Sequence, residues 1–409
     1  MIDFEARRVI EALRSGIPSR TVGQYFSSAR PEITKQISDR LIDVCDKKVS
    51  DAMIVTGKYG EGKTHLLNTV FNLAGSNNMV VSFVSLSKET PFNMPYQVYQ
   101  KVVHNTYLPK RLQPGFLDIL SDITPNNPLA VEMQAYTAKQ LETDKLFYLF
   151  RTYLNTDDMD EKYLLLADLE GDFVANAALK SMYKRIFLET VKYNTNFSKT
   201  KHMGDYYSML SHLFLQMGYN GWVILFDETE LIGRLGKKAR LKAYEQMAAF
   251  LFPREYSKLQ ATYSIFALTT SFIEDVVDAK HEYDNLYEAG LEKDAFAAIE
   301  RTLQAICEAK RLQPLTKEEI AEVMEKLKDF YQRAYGWMPE LDMAEIVKNT
   351  DARGYLLRTR IRAAVECLDQ LYLHNQADDI CIDELGIASY DEDIPEPAVE
   401  AVEEDFWAK

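Results

Sequence analysis

An α/β fold is predicted for this 409-residue chain by three observations. The apolar run Ala52-Met53-Ile54-Val55-Thr56 leads into Gly57-Lys58-Tyr59-Gly60-Glu61-Gly62-Lys63-Thr64, the strand, glycine loop and helix start of a P-loop. A second buried run, Trp222-Val223-Ile224-Leu225-Phe226, ends in the acids Asp227-Glu228. Between about 92 and 218 the apolar spacing is helical, with no convincing strand. The expected architecture is therefore a three-layer P-loop core, interrupted by a long helical insertion and followed by a C-terminal helical lid.

In chain order, Phe4, Val9, Ile10 and Leu13 give a helical pattern over 3–15 that stops at Gly16-Ile17-Pro18. Ile33, Ile37, Leu41 and Val44 lie on one face of a helix over Arg30 to Lys47, with Pro31 near its start. The P-loop helix runs from Lys63 to about Ala74, and Met79 to Ser85 reads as the next buried strand, free of charge and rich in β-branched residues. Helical patterns at 94–107, 131–154, 160–166, 171–191 and 202–218 surround a Pro/Asn/Asp-rich loop at Leu120 to Pro128. The sheet resumes at 222–226 and at Tyr263 to Leu268, with a helix over Lys237 to Phe252 between them. After 291 the chain reads as helical to Tyr372, broken at Pro314 and at Gly336-Trp337-Met338-Pro339. The stretch 391–409 holds eight carboxylates and one lysine, the composition of a flexible tail, with Phe406-Trp407 as a possible docking element. These readings divide the chain into an N-terminal helical segment (1–50), two core parts (51–91 and 219–290), an insertion (92–218), a lid (291–375) and an acidic tail (376–409).

Composition sets exclusions. A net charge of -15 repels a polyanion at long range and argues against bulk nucleic-acid binding, though not against a local basic face. Cys45, Cys307, Cys367 and Cys381 have neither metal spacing nor a disulfide framework. With no signal-peptide pattern and no run of membrane-spanning length, a cytoplasmic location is expected.

The site follows from the motifs. The loop positions Gly57, Tyr59, Gly60, Glu61 and Gly62 turn backbone N–H groups toward phosphate oxygens. Lys63 neutralises charge on the β- and γ-phosphates of ATP, and Thr64 offers its hydroxyl to Mg²⁺. Tyr59 either supports the loop or lies against the nucleotide. His65 is a further loop-side position, with helix surface or capping as its alternative. Asp227, at a strand's carboxyl end, completes the Mg²⁺ shell, and Glu228 polarises the attacking water. These groups are expected to converge from adjacent strand ends. Thr269 and Thr270 both stand as candidates to touch the γ-phosphate, or else cap the next helix. Extra positive charge for the transition state is expected from Arg353 or Arg358 in cis, or from Arg234, Arg240 or Arg254 toward a neighbouring subunit.

Together these motifs resemble the AAA+ and STAND branch of the P-loop ATPases. More closely, the chain is similar to the ATP-binding proteins of bacteriophage-exclusion (BREX) defence systems. The carrying segments are Arg7 to Pro18, the P-loop, Phe226-Asp227-Glu228-Thr229-Glu230, the Thr269-Thr270 strand end and the arginine-bearing 353–360, covering most of the chain to about 375. The resemblance implies ATP hydrolysis, a prokaryotic host and work beside other anti-phage components. It also implies oligomerisation or association with a helicase or modification complex acting on DNA. From the same pattern, Arg20, Thr21 and Val22 border the adenine pocket.

Two functions stand apart: an Mg-ATP-driven switch or motor, and a slowly hydrolysing adaptor that recruits a helicase, nuclease or methyltransferase. A small-molecule kinase is a poorer third. Lys180, Lys184, Arg185, Lys192, Lys199 and Lys201, interleaved with Tyr183, Tyr193 and Phe197, are the local candidate for direct DNA contact; ordinary surface and core roles are the alternative.

Overall fold

Alternation along buried strands organises the molecule. Both faces of a parallel sheet are covered, so its strands read as unbroken apolar runs rather than as half-polar ones. The computed structural model describes residues 3–16, 19–27, 30–121, 123–338, 340–352 and 356–375. Its strands are β1 (Asp51–Gly57), β2 (Val80–Ser85), β3 (Thr106–Tyr107), β4 (Trp222–Asp227), β5 (Thr262–Thr269) and β6 (Lys310–Arg311). They form one sheet in the order β3-β2-β4-β5-β1-β6, in which only the β2–β3 pair is antiparallel.

One face carries Ile54, Val84, Ile224, Phe226, Phe266 and Leu268, packed into a single apolar cluster with the helices between Pro95 and Gln216 and with helix Lys237–Leu251. The opposite face carries Met53, Val55, Val81, Leu225 and Ile265 against helices Pro31–Lys47 and Lys63–Ser76. The result is three layers, helix on sheet on helix. A third cluster stands apart from the sheet. In it Val9, Ile10 and Leu13 of helix Phe4–Ser15 meet Met324, Leu327 and Phe330 of Lys317–Tyr335, and Val365 and Leu368 of Leu357–His374.

Caps explain where several of these helices begin and end. Asp3 accepts hydrogen bonds from the N–H groups of Glu5 and Ala6, and Gly16 closes the same helix in the left-handed region at φ 66°. Thr316 and Glu319 form a reciprocal capping box at the start of Lys317–Tyr335.

Several sequence readings are corrected. The stretch 94–107 is not wholly helical, because Thr106–Tyr107 pairs with β2 as an edge strand. The pattern at 131–154 is two helices, Pro128–Lys139 and Lys145–Asn155. The break is held by Asp205, whose carboxylate accepts the N–H groups of Glu142 at 3.0 Å and Thr143 at 2.7 Å. Past 291, helix Lys293–Cys307 packs on helix Lys237–Leu251, and Lys310–Arg311 adds a short edge strand beside β1. Arg353, Cys381 and the acidic 391–409 lie outside the described residues.

Within the insertion, Lys145 is 1% exposed and Asp168 fully buried, with Lys145 Nζ 2.6 Å from Asp168 Oδ2. Tyr206 Oη and the Val174 N–H also donate to that carboxylate. Among the described residues no helix is long and apolar enough to cross a membrane. Breaking the Lys145–Asp168 pair leaves a buried carboxylate without its cation. Lys145→Met is accordingly expected to destabilise the fold by about 3–5 kcal/mol, read as a lower midpoint in urea unfolding.

Candidate functional site

The chain leaves the carboxyl end of β1 into a loop that only glycine makes comfortable, with φ at 77° for Gly60 and 94° for Gly62. Glu61 closes the loop on itself, its carboxylate accepting the Lys58 N–H at 2.7 Å. Lys63 is buried, and its Nζ donates to the carbonyls of Gly57 at 3.1 Å and Lys58 at 3.5 Å. The ammonium is thus folded back across the loop's mouth, on partners it can exchange.

Thr64 Oγ1 donates to Asp227 Oδ2 at 2.6 Å, joining the P-loop helix to the end of β4. The expectation of adjacent strand ends is corrected here: β5 lies between β1 and β4, and the two ends meet across it. Burial raises the Asp227 pKa above the ordinary carboxylate value, against the lowering effect of the Thr64 hydroxyl, the Glu228 N–H and Lys63. Glu228 is also raised, first by burial and then by the Asp227 charge, with Lys63 and Arg234 opposing. Its backbone is left-handed at φ 56°, so the chain turns sharply straight after the strand.

Loop and acids border a cavity of about 370 Å³. Its polar lining is formed by Gly60 to His65 with Asp227 and Glu228. Its apolar lining is Leu13, Val22, Phe26, Val323, Leu357 and Ile361, which come from the N-terminal helices and the third cluster. Apolar walls with a few charged and polar groups are the usual lining of a small-molecule site.

The remaining predicted positions divide. Arg358 lines the cavity, and its Nη1 donates to Tyr59 Oη at 3.2 Å. Leu356 lies against Gly60, where an added Cβ would meet its Cδ1 at 3.3 Å. His65 lines the cavity too, but its Nε2 donates to the Phe26 carbonyl at 3.2 Å, and burial pushes its pKa down, favouring the neutral ring. Thr269 stands opposite Gly57 in the β1–β5 register, and neither it nor Thr270 lines the cavity.

Arg20 does not border the pocket. Its guanidinium lies over the edge-to-face ring pair of Phe71, at 4.0 Å, and Tyr107, at 3.8 Å, clamping its short helix onto the P-loop helix. Arg240 is 4% exposed, bonded to Glu282 and to the Leu235 carbonyl at 2.6 Å, so it presents nothing to a neighbouring subunit. The aromatic part of the nucleic-acid surface is corrected as well: Tyr183 is buried, and Tyr193 and Phe197 stand beneath Lys180 and Lys145.

Sequence reasoning missed Arg30, which lines the cavity and donates through Nη2 to the Glu61 carbonyl at 2.7 Å. Its only signal was its place before Pro31 at a helix start. It also gave Glu230 no role. That residue is buried, one carboxylate oxygen is without a hydrogen bond, and burial raises its pKa to about 7.

Glu230 makes stability depend on pH. Below the unfolded value of 4.5 the carboxyl is protonated in both states; between 4.5 and about 7 only the folded state keeps its proton; above that the folded state carries the full desolvation cost. Glu230→Gln is therefore expected to raise ligand-free stability at pH 8 by up to about 3 kcal/mol, and by much less at pH 4.5, in paired denaturant titrations.

No curated protein matches the chain. The family model described as BREX system ATP-binding protein BrxC/D matches residues 3–127 and 129–380. That match spans the loop, the acids and the rest of the cavity lining. The chain therefore belongs to the BrxC/D family of ATP-binding proteins of BREX defence systems.

Proposed function

We propose that the protein is an Mg²⁺-dependent ATPase of the AAA+/STAND type, whose turnover moves the C-terminal helical cluster against the α/β core within a BREX-type assembly. The observation that carries this reading is the 2.6 Å hydrogen bond from Thr64 to Asp227, which brings a hydroxyl and a carboxylate together beside a buried lysine. The residues fit a nucleotide and its metal. The positive-φ glycines leave the backbone open to phosphate, and a hydroxyl beside a carboxylate is a hard oxygen donor pair for Mg²⁺.

In this reading Gly57, Gly60 and Gly62 hold the phosphates through backbone N–H groups, and Lys63 leaves its carbonyl partners for phosphate oxygen. Thr64 and Asp227 hold the cation, which when bound supplies charge neutralisation at the phosphates. Glu228 accepts the proton of the attacking water as the water oxygen bonds to the terminal phosphorus and the bond to the departing diphosphate breaks. Arg358, one hydrogen bond from the loop through Tyr59, adds positive charge in cis. Partners are further copies of the chain or other defence proteins; contact with DNA is through such a partner, in keeping with the net charge of -15.

One observation favours slow, adaptor-like turnover as a second reading. Of the arginines considered for a neighbouring subunit, Arg240 is locked in a buried ion pair.

Phosphate release and nucleotide titration test the assignment. Lys63→Ala is expected to weaken ATP binding by about tenfold or more, the scale of one lost charged hydrogen bond. Glu228→Gln is expected to retain ATP and lower kcat by about 10²–10⁴-fold, the usual contribution of a general base; unaltered turnover would remove Glu228 from the mechanism. Because the Glu228 pKa is raised, the wild-type kcat should fall with acidification through a value above the ordinary 4.5, since only the ionised carboxylate accepts a proton.

A further inference from the structure

Arg30 occupies the junction of three parts of the molecule. Its helix, Pro31–Lys47, is fixed to the sheet through Ile33, Ile37 and Leu41. From that base Nη2 donates to the Glu61 carbonyl of the phosphate loop at 2.7 Å, and Nη1 donates to the Gln313 carbonyl. Gln313 belongs to the passage from sheet to third cluster. Just before it, the Leu312 N–H is tied to Thr56 of β1 at 2.7 Å; just after it, Leu315 lines the cavity and Thr316 caps helix Lys317–Tyr335.

We propose that Arg30 is a positioning residue through which the state of the phosphate loop sets the hinge at Leu312–Leu315. This role rests on the ATP-site assignment above and on the planarity of one peptide. The Glu61 carbonyl and the Gly62 N–H are opposite ends of the same rigid unit. Gly62 is also the N-cap of the P-loop helix, where N–H groups face an anion. Drawing that N–H onto a phosphate oxygen turns the plane and displaces the carbonyl that Arg30 holds. The guanidinium is a fixed planar fork, so a shift at one prong is felt at the other. A lysine at this position offers a single ammonium and no fork. Ligand and hinge are then coupled through differential contacts in two states, which is what linkage requires.

The experiment measures amide hydrogen exchange over 312–320 in the full chain, with and without Mg²⁺ and the non-hydrolysable analogue AMP-PNP, for wild type, Arg30→Gln and Arg30→Lys. Nucleotide affinity is measured alongside by calorimetry. In wild type the analogue is expected to slow hinge exchange about tenfold, the factor carried by one charged hydrogen bond. Arg30→Gln is expected to bind the analogue within about tenfold of wild type while its hinge slows less than about twofold, because reciprocal coupling limits the affinity change to the same factor. Arg30→Lys should behave as Arg30→Gln does.

Full protection of the hinge in Arg30→Gln overturns the inference, and so does full rescue by Arg30→Lys. An affinity loss of about a hundredfold or more also overturns it, since Arg30 would then be a direct ligand contact. A wild type that binds no nucleotide defeats the ATP assignment itself. A wild type that binds, with variants that protect the hinge as it does, defeats only the role given to Arg30.

Discussion

The hydrogen bond from Thr64 to Asp227 is the constraint on which the site depends, because it spans a strand that contributes to neither residue. β5 separates β1 from β4, yet the three run parallel and end at one edge of the sheet. Parallel strands present all their carboxyl ends on one side, where loops and helix starts gather. Asp227 accepts the Thr64 hydroxyl through one oxygen and the Glu228 N–H through the other. A buried carboxylate is costly unless each oxygen is satisfied. Those two donors let Asp227 remain where water is scarce.

The electrostatics around that bond are unbalanced in a way that suits a polyphosphate with its metal. Asp227, Glu228 and Glu230 all have raised pKa values, each first through burial, and Lys63 is the cation that opposes the shift at all three. A phosphate chain alone would add negative charge beside the buried acids Asp227 and Glu228, with Lys63, Arg30 and Arg358 as the cations of the lining. A divalent cation changes the sign of that problem, because it is the largest local charge wherever it binds. In the proposed reading, the acids are what a divalent cation arriving with the nucleotide would offset. Lys63, meanwhile, rests on two carbonyls that offer dipoles but no full charge, so the stronger field of a phosphate draws it away.

How much of this was legible in the sequence follows from the range of each interaction. The strands around 52–56, 79–85, 222–226 and 263–268 were readable because two buried faces leave an uninterrupted apolar signature. The short edge strands Thr106–Tyr107 and Lys310–Arg311 have none, since two residues at a sheet edge owe their conformation to their neighbour alone. The loop and Asp227-Glu228 were legible because their chemistry is local to a motif. The arginines were not. An arginine side chain is long, and whether it reaches a pocket, a ring pair or a buried acid depends on tertiary placement. Thus Arg358 and Arg30 line the cavity, Arg20 lies over a pair of rings, and Arg240 is paired with Glu282.

The packing also decides which parts can move together. The insertion and one sheet face share a single apolar cluster, so helices Pro95–His104 and Met203–Gln216 cannot shift far without opening the core around Trp222 and Phe226. The third cluster has its own core and joins the first to the last part of the described chain. Arg14 is paired with Asp369 at 2.7 Å and Arg333 with Asp3 at 2.7 Å, so helix Phe4–Ser15 belongs with the C-terminal helices, not with the sheet. This cluster touches the nucleotide loop through Leu356 at Gly60 and Arg358 at Tyr59. The cluster thus carries both ends of the described chain and lends Leu13, Val22, Leu357 and Arg358 to the cavity lining, which is why the proposed ATP-driven motion is assigned to it.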